Sequence, residues 1–450
     1  MNTLGMGVKL LVICVLALVM TIPSFFVNGL VEDRAKRGSD VQKEISSHVG
    51  GPQIFLGPTL VVPYSVSAQA RSESAKSTTY LIFPAQGYAD LETTTTERHR
   101  SLFKVPVFQV DLKFDATFDL RAAPANALQG ATLDWNRAEI VVGASDARGA
   151  LADITLTTDK RTVTLSPDGS DSPISVRLNE NEQSKLVLFG AQASDIAKPG
   201  TSFHVTSKLR FSGAEQIAVL AYGQTTHLSA KGDWRNPGFY GSILPIRRSV
   251  TNTGFVAEWS VPSIARGVRA EGPSDSVTGL GDTALGVSFI EVADPYQSVT
   301  RSLKYLLLFL GWIFLSYFLF EVTSGKRVHL AQYILVGIAQ IIFYLLLLSI
   351  AERIGFDFGF LVAALPTVAL LSANAGWIFS SRLQFLRASV LFGVLYALIY
   401  LLLRLEDYAL LAGSIASFLA VAAAMYLTQK INWHSPVSST GRTQETGLNI

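Results

Sequence analysis

Five apolar segments of 16 to 22 residues follow one another in the last third of this 450-residue chain. They occupy residues 303–320, 330–350, 358–379, 388–403 and 408–427. About 18 apolar residues cross the hydrocarbon core of a bilayer as one helix. The connectors hold only four to nine residues, so successive helices must lie side by side and antiparallel. The sequence therefore predicts a membrane-embedded bundle of five helices.

A sixth apolar run covers residues 10–27, directly after Lys9. A cleaved signal peptide has the same basic start, but this run ends in Phe25-Phe26-Val27-Asn28, without the small residues of a cleavage site. We therefore expect an uncleaved transmembrane anchor. Pro23 in this run and Pro366 in the third C-terminal segment each predict a bend in their helix.

Composition excludes several classes of protein. Charged residues make up 16% of the chain, against about a quarter in soluble domains, and 49% of the residues are hydrophobic. The formal net charge of +2 provides no field that would hold nucleic acid, so we expect no nucleic-acid partner. A single cysteine, Cys14, excludes an internal disulfide and every multi-cysteine metal or cluster site.

Basic residues are divided unequally between the two sides of the predicted membrane. With six spans the termini share a side, and seven basic residues near helix ends lie there: Lys9, Lys326, Arg327, Arg382, Arg387, Lys430 and Arg442. The opposite connectors hold two, Arg353 and Arg404. Short cytoplasmic connectors carry the excess of Lys and Arg. We therefore expect both termini in the cytoplasm and the large polar region outside.

The long region between the first and second spans has the patterns of β-strands. Residues 108–120 alternate strictly between apolar and polar, a period of two that is typical of a strand with one buried face. Residues 203–211 repeat the pattern, and helical spacing predicts a helix over 31–49. Shorter strand candidates are 59–66, 79–83, 139–142, 154–157, 162–165 and 254–261. The region therefore predicts a mostly antiparallel β domain.

The predicted spans carry no charged residue near their middle, where proton relays and ion pathways usually place one. Gln340 and Tyr344, one helical turn apart, are the best internal polar pair. We interpret them as candidates for an interhelical polar contact, with a substrate contact as the alternative. In the last span, small residues at every fourth position predict close helix packing: Ala412, Ala416, Ala420 and Ala424.

Signatures of catalysis are weak throughout the chain. None of the six histidines has metal-ligand spacing. His204 and His227 lie on neighbouring predicted strands and could meet, but the favoured interpretation is that both are solvated strand residues. Ser101 and Lys104 match the Ser-x-x-Lys pair of penicillin-binding enzymes, but on a strand these two side chains would point to opposite faces. We therefore predict no catalytic, cofactor-binding or metal site.

Three basic clusters stand out in the predicted β domain: Arg98 with Arg100 and Lys104, Arg247 with Arg248, and Arg266 with Arg269. The simpler interpretation is solvated loop charge. The functional alternative is attraction to anionic lipid head groups.

A short segment joins the β domain to the bundle and has the residue types of a membrane interface. Tyr296 and Tyr305 combine an apolar ring with a wet hydroxyl. Arg301 and Lys304 are three residues apart and can reach lipid phosphate from one helical face. The segment is too short and too poor in glycine to act as a free tether. These four residues are candidates for membrane-interface coupling, with snorkelling at a helix end as the simpler alternative.

Several segments, in order along the chain, resemble those of the CreD family of bacterial inner-membrane proteins. In the β domain they are GPTLVVPY at 57–64, GDWRNPGFYG at 232–241 and GFVAEW at 254–259. At the junction and in the bundle they are DPY at 294–296, RSLKY at 301–305, QYILVG at 332–337 and FYLLLLS at 343–349. Two positions depart from the family pattern, which usually has proline where Leu330 stands and histidine where Arg353 stands.

The resemblance implies a multi-pass protein of the inner (plasma) membrane that acts in envelope integrity and stress response. The family is associated with a two-component regulon that responds to carbon source and cell-wall stress, and with altered colicin and β-lactam tolerance. It supplies no catalytic residue, so we expect no enzyme. The expected partners are the lipid bilayer and, as further candidates, envelope proteins or anionic lipids. The alternative is a transporter or lipid-handling protein of the envelope.

Together these observations define the expected fold class. It consists of six α-helical transmembrane spans, one N-terminal and five C-terminal, plus a large, mostly antiparallel β domain. We expect residues 1–28 to form the anchor, 29–300 the periplasmic β-rich domain, 301–428 the five-helix bundle and 429–450 a cytoplasmic polar tail.

Overall fold

The computed structural model describes residues 6–66, 79–100, 103–121, 131–167, 174–179, 182–289, 295–404 and 408–429. The chain forms two compact units. The helical unit comprises Met1–Arg37 and Ala293–Ile450, and the β unit comprises Gly38–Val292.

The helical unit contains the apolar helices expected from the sequence. The helices of the described residues, in chain order, are α1 (Met6–Val19), α2 (Ile22–Val49), α3 (Ser263–Arg266), α4 (Pro295–Lys304), α5 (Leu306–Ser324), α6 (Leu330–Ile354), α7 (Phe356–Phe379), α8 (Arg382–Arg404) and α9 (Ala409–Thr428). By length and composition, five helical stretches can cross a membrane, and a shorter apolar helix covers Leu411–Tyr426. The predicted class, a protein with five or six apolar helices and a large β domain, is confirmed.

The N-terminal apolar run is divided between two helices. α1 ends at Val19 and α2 begins at Ile22, which makes Pro23 the second residue of α2. Proline is tolerated there because the first N–H groups of a helix have no intrahelical partner. The helix expected over 31–49 is present but begins nine residues earlier than predicted, since α2 runs without a break through residue 28. The boundary between the two units, Arg37 to Gly38, falls inside α2.

Aromatic rings fill the interior of the helical unit. Tyr396 contacts Phe309 and Phe343 edge to face, with ring centroids 4.8 and 5.1 Å apart. Phe343 makes a third such contact with Phe360, at 5.6 Å. Each edge-to-face pair contributes about 0.5–1.5 kcal/mol beyond the area that it buries. The rings therefore tie α5, α6, α7 and α8 together.

The alanine stripe of α9 marks the side of this helix that packs. Ala412, Ala416 and Ala420 are half-buried, whereas Leu411 and Phe418 are exposed. The helix contacts α5 and α8. Small side chains let helix backbones approach closely in a membrane, so the stripe supports this packing.

The β unit contains twenty strands in the part of the chain that the structure describes. Their bounds are β1 (Gln53–Val66), β2 (Thr79–Ile82), β3 (Gln86–Arg100), β4 (Phe103–Asp119), β5 (Ala131–Leu133), β6 (Glu139–Ala144), β7 (Thr155–Thr158), β8 (Thr162–Thr164), β9 (Ser166–Pro167), β10 (Ser175–Asn179), β11 (Glu182–Lys185), β12 (Val187–Gln192), β13 (Ser202–Ala214), β14 (Gln216–Leu220), β15 (Thr225–Gly232), β16 (Pro237–Gly241), β17 (Arg247–Thr251), β18 (Gly254–Val261), β19 (Glu271–Pro273) and β20 (Ala284–Phe289).

These strands form two large sheets and a small hairpin. One sheet has ten strands with the path β16-β20-β14-β1-β6-β12-β9, to which β2, β5 and β19 add. The second has eight strands in the order β17-β18-β15-β3-β4-β13-β7-β8, and β10 pairs with β11. Two described pairings are parallel, β1 with β14 and β15 with β3, and the others are antiparallel. The mostly antiparallel β domain expected from the sequence is thus present.

The centre of the eight-stranded sheet is a long hairpin of β3 and β4. Strict alternation in β4 buries residues such as Leu112 and Phe114 on one face and exposes their neighbours on the other. No sequence pattern predicted β3, although this strand pairs with β4 along its whole length, from Gln86–Thr117 to Arg100–Phe103. Both strands expose one face to solvent, so the hairpin presents two rows of polar side chains.

One buried tyrosine links the two sheets of the β unit. The ring of Tyr222 lies against Gly57 of β1 and Gly87 of β3, so closely that a Cβ at either glycine would fall 2.7 Å from ring carbons. Its hydroxyl oxygen is 2.9 Å from the backbone oxygen of Tyr88 and 3.1 Å from that of Asp115. Burial raises the pKa of this hydroxyl well above its usual value. It therefore stays protonated and can donate to these strand carbonyls.

Candidate functional site

The described residues offer no constellation that resembles a metal centre. No group of three or more His, Cys, Asp or Glu side chains that could hold a metal ion occurs among them. Ser101 of the Ser-x-x-Lys sequence lies outside the described residues, while Lys104 is in β4 with its ammonium 3.8 Å from the Glu97 carboxylate. That position near the start of β4 agrees with the strand on which the argument against an acylating pair depends.

The two histidines do not meet, which excludes the alternative to solvated strand positions. His204 is in β13 and His227 is in β15, and both β3 and β4 lie between these strands. His204 Nε2 instead lies 3.7 Å from Asp115 Oδ1. The His227 ring stacks on Tyr88, with centroids 5.0 Å apart and planes inclined by 16°.

The basic clusters differ from the loop charges expected from the sequence. Arg98, Arg100 and Lys104 lie on the paired ends of β3 and β4 rather than in a loop. Arg100 forms an ion pair with Glu44 of α2, and this hydrogen bond lowers the pKa of the Glu44 carboxyl. Arg247, which is 83% exposed, lies in β17 with its guanidinium 3.8 Å from Glu258.

Arg266 is not a surface charge at all, so its pairing with Arg269 as a basic cluster is wrong. Arg266 is only 4% exposed, whereas Arg269 is exposed. The guanidinium of Arg266 lies 4.2 Å from the centroid of Phe83 and donates from Nε to the backbone oxygen of Ala221 at 2.7 Å. Burial lowers its pKa to about 10. This arginine holds a loop against the core and cannot reach a lipid head group.

The polar pair of the third span contacts two other helices. Gln340 is fully buried, and its Oε1 accepts a hydrogen bond of 2.9 Å from the hydroxyl of Tyr396 in α8. The hydroxyl of Tyr344 donates to the backbone oxygen of Ser302 in α4 at 3.4 Å. The two side chains therefore contribute to separate interhelical contacts rather than to one shared site.

The junction segment is helical. Tyr296, Arg301 and Lys304 lie in α4, and Tyr305 is the residue before α5. Lys304 is exposed, while Tyr296, Arg301 and Tyr305 are half-buried. Val299 and Ser302 are almost completely buried, and α4 packs against α5, α6 and α8. The junction is therefore part of the packed helical unit.

Two ion pairs hold the N-terminal helices to the rest of the helical unit. Lys9 of α1 pairs with Glu321 of α5, which is 3% exposed and also accepts a hydrogen bond of 3.2 Å from the Tyr333 hydroxyl. Arg34 of α2 lies 3.7 Å from Glu352 of α6. In the sequence, Lys9 and Arg34 lie before and after the first apolar run. Their partners are hundreds of residues away, so no local pattern could have indicated them.

The eight-stranded sheet carries a polar groove on its solvent face. The groove encloses about 500 Å³ and lies over β15, β3, β4 and β13. Its charged lining residues are three acidic and three basic: Asp90, Glu92, Asp111, Lys113, Lys208 and Lys231. The stacked rings of Tyr88 and His227 lie one row above it on the same strands. No sequence pattern predicted this groove.

Helices that are long and apolar enough to cross a membrane, together with a separate large β unit, define a polytopic membrane protein with a large β domain. A sequence model of the family described as inner membrane protein CreD matches residues 5–434. The inner membrane protein CreD of Escherichia coli (strain K12) is 27% identical over 434 residues, which cover 93% of this chain and 91% of that protein. The chain belongs to the CreD family of inner membrane proteins, and the family resemblance drawn from its sequence is confirmed.

Proposed function

We propose that the protein maintains the bacterial cell envelope without catalysing a reaction, by coupling its β unit mechanically to the helices in the inner membrane. The observation that carries this proposal is the continuity of α2, which begins among apolar residues of the helical unit and ends in the β unit. A helical connection is stiffer than a glycine-rich linker.

Contacts on both sides of the unit boundary support this role for α2. Arg34 lies 3.7 Å from Glu352, so the helix is held in the helical unit four residues before Gly38. Within the β unit, Gly38 lies so close to the Phe103 ring that a Cβ there would be 3.0 Å from it, and Glu44 pairs with Arg100. Since Arg34 and Gly38 are one helical turn apart, little free chain separates the two sets of contacts.

The proposed orientation places both termini in the cytoplasm and the β unit in the periplasm. The charges of the short connectors support this orientation. On the proposed periplasmic side, Arg404 is neutralised by its ion pair with Asp357. On the proposed cytoplasmic side, Lys326 donates to a neutral group, the backbone oxygen of Phe379, at 2.7 Å. Reporter fusions after Glu352 and Arg404 should report the periplasm, and fusions after Lys326 and Arg382 the cytoplasm. A cytoplasmic signal from the Glu352 fusion would contradict this orientation.

The coupling can be tested with two substitutions at one exposed position of α2. Lys36 is exposed and lies between Arg34 and Gly38. Lys36→Pro breaks the helix there, at about 3 kcal/mol or more, while Lys36→Ala removes the same charge and keeps the helix. In a deletion strain exposed to a β-lactam or to detergent, the alanine variant should restore growth and the proline variant should not.

Membrane abundance and protease resistance of the β unit provide the control for folding in this experiment. If both variants are inserted and folded but complement equally well, rigid coupling through α2 is contradicted.

A ten-residue Gly/Ser insertion after Gln297 makes the same test in α4, where it would interrupt the helix that carries Tyr296, Arg301 and Lys304. We expect this variant to insert normally but to lose complementation. Export of a labelled lipid or solute that depends on the protein would instead favour the transporter or lipid-handling function.

The junction residues have a specific place in this proposal. We propose that Arg301 and Lys304 contact anionic lipid phosphate, while the rings of Tyr296 and Tyr305 lie at the bilayer interface. The exposure of Lys304 and the partial exposure of Tyr305 support this assignment. Replacing both basic residues by glutamine should weaken binding of the purified protein to anionic lipid without changing its insertion.

A further inference from the structure

The solvent face of the eight-stranded sheet brings polar side chains into rows that cross four strands. The pairing registers align Ser229 of β15, Asp90 of β3, Lys113 of β4 and Lys208 of β13 in one row. The next row contains Lys231, Glu92, Asp111 and Arg210. Since strands lie about 4.8 Å apart, each row extends across about 14 Å of the sheet. The groove occupies these two rows.

The groove contains charges of both signs that largely neutralise one another, although like charges face each other at Glu92–Asp111 and at Lys113–Lys208. Lys231 Nζ lies 3.0 Å from the Glu92 carboxylate, and Arg210 Nε lies 3.6 Å from that of Asp111. At the upper end of the groove, in the row of Tyr88, Asp115 Oδ2 lies 2.7 Å from Lys113 Nζ. Exposed ion pairs of this kind contribute about 0–1 kcal/mol, so a ligand can exchange their hydrogen bonds for its own at little cost.

An aromatic wall closes the upper end of the groove. Tyr88 is 46% exposed, although its ring stacks on His227. On the other side of Tyr88 its cross-strand partner is the short side chain of Asp115. The hydroxyl of Thr206 donates to Asp115 Oδ1 at 2.6 Å from β13, on the side of Asp115 away from Tyr88. One face of the Tyr88 ring is therefore open toward β4.

We propose that this groove binds a neutral glycan chain. Sugar hydroxyls both donate and accept hydrogen bonds, so they match a surface that offers both carboxylates and ammonium groups. The C–H face of a pyranose ring is apolar and can stack on the open face of Tyr88. A volume of about 500 Å³ is within the range of about 300–1,000 Å³ that small-ligand sites occupy.

Charge argues against the other ligands that a polar groove can hold. Phosphate and nucleotide sites concentrate positive charge, whereas the charged lining residues here are three acidic and three basic. An apolar peptide would bury these charges without neutralising them. Neutral polyhydroxylated ligands avoid both penalties because their hydroxyls pair with either sign.

The inference can be tested with tri-N-acetylchitotriose, a soluble neutral glycan, and the purified full-length protein in detergent micelles. Saturation-transfer-difference NMR should show transfer to the ring protons of the sugar. Tyr88→Ala should weaken binding about tenfold, as expected for the loss of one stacking contact. Ser229→Trp, which places a large ring in the groove from an outward position, should abolish the transfer.

Thr164→Trp is the matched control for the blocking variant. Thr164 is exposed and belongs to the same row, because it pairs with Thr155, which pairs with Lys208. It lies two strands beyond the edge of the groove, or about 10 Å. Binding by this control and by wild type, with loss in Ser229→Trp, supports the inference.

Transfer that persists unchanged in Ser229→Trp, or its absence in wild type, would overturn the proposal. Phosphoethanolamine, tested in parallel, distinguishes a zwitterionic ligand. Competition by it, but not by the glycan, would also overturn the assignment. Because the readout is direct binding to the purified protein, the result does not depend on whether α2 couples the two units.

Discussion

Replacement of Lys9 by methionine should strongly destabilise the helical unit, because it would leave the Glu321 carboxylate buried without its cation. Lys9 Nζ pairs with Glu321 and also donates to the backbone oxygen of Val328 at 2.6 Å. Only 3% of the Glu321 side chain is exposed, against 17% for Lys9. The second carboxylate oxygen accepts from Tyr333, and that single neutral hydrogen bond cannot replace the ammonium.

The expected magnitude follows from the difference between breaking a buried ion pair and removing it. Loss of one partner costs about 3–5 kcal/mol, whereas replacing both by groups of similar volume is often close to neutral. Lys9→Met should therefore lower the free energy of unfolding by about 3–5 kcal/mol. Lys9→Met combined with Glu321→Gln should recover most of this loss. Tyr333→Phe, which removes one hydrogen bond, should cost about 1 kcal/mol.

Denaturing-detergent titration of the full-length protein in mixed micelles, followed by near-ultraviolet circular dichroism, measures these free energies. The two single variants and the double variant form a cycle whose non-additivity gives the coupling between Lys9 and Glu321. A loss below about 1 kcal/mol for Lys9→Met, as for an exposed pair, would refute the reasoning. So would a double variant whose loss equals the sum of the single losses.

Three further predictions concern the β unit. Arg266→Ala should lower its unfolding free energy by about 2–4 kcal/mol, because the backbone oxygens of Ala221 and Arg269 and the ring of Phe83 lose their contacts with the guanidinium. Arg269→Ala should change it by less than about 0.5 kcal/mol in the same thermal melts. The pKa of Asp115 is lowered because hydrogen bonds from Lys113 and Thr206 outweigh burial, which raises it. The ionised carboxylate of Asp115 therefore stabilises the fold at pH values above its ordinary pKa of 3.8, and this stabilisation is lost as the pH falls below that pKa. Asp115→Asn lacks the titrating group, so its melting temperature should fall less steeply with acidification than that of wild type. Gly87→Ala should cost at least about 1–3 kcal/mol, because its Cβ would overlap the ring of Tyr222, and a melting temperature equal to wild type would contradict this packing.

Sequence patterns predicted elements with strong periodicity and failed where the periodic residues are small. The alternation in β4 is carried by large side chains such as Leu112 and Phe114, and it was read correctly. In β3 the inward positions include Gly87 and Ala89, which provide little hydrophobic contrast with their polar neighbours. The strand, the groove beside it and the exposed ring of Tyr88 were missed for the same reason.

Charge patterns showed a similar division between local and long-range information. Basic residues at span ends could be counted from the sequence, and the count gave an orientation. The partner of Lys9 is 312 residues away, however, and only the fold brings them together. Arg266 and Arg269 look alike in sequence, but one is buried under the loop and the other is exposed. Burial of an arginine depends on tertiary packing that a three-residue spacing cannot reveal.

The position of Tyr222 constrains how this sequence can diverge among relatives. Its ring requires the absence of a side chain at both Gly57 and Gly87, which are thirty residues apart and belong to different sheets. A relative that carries a larger residue at either glycine should therefore also carry a smaller one at the position of Tyr222, and the three positions should change together. The hydroxyl of Tyr222 contacts the backbone of Tyr88 and Asp115, whose side chains form the upper end of the groove. Lineages that lose this tyrosine should accordingly show relaxed selection on the surface residues above it.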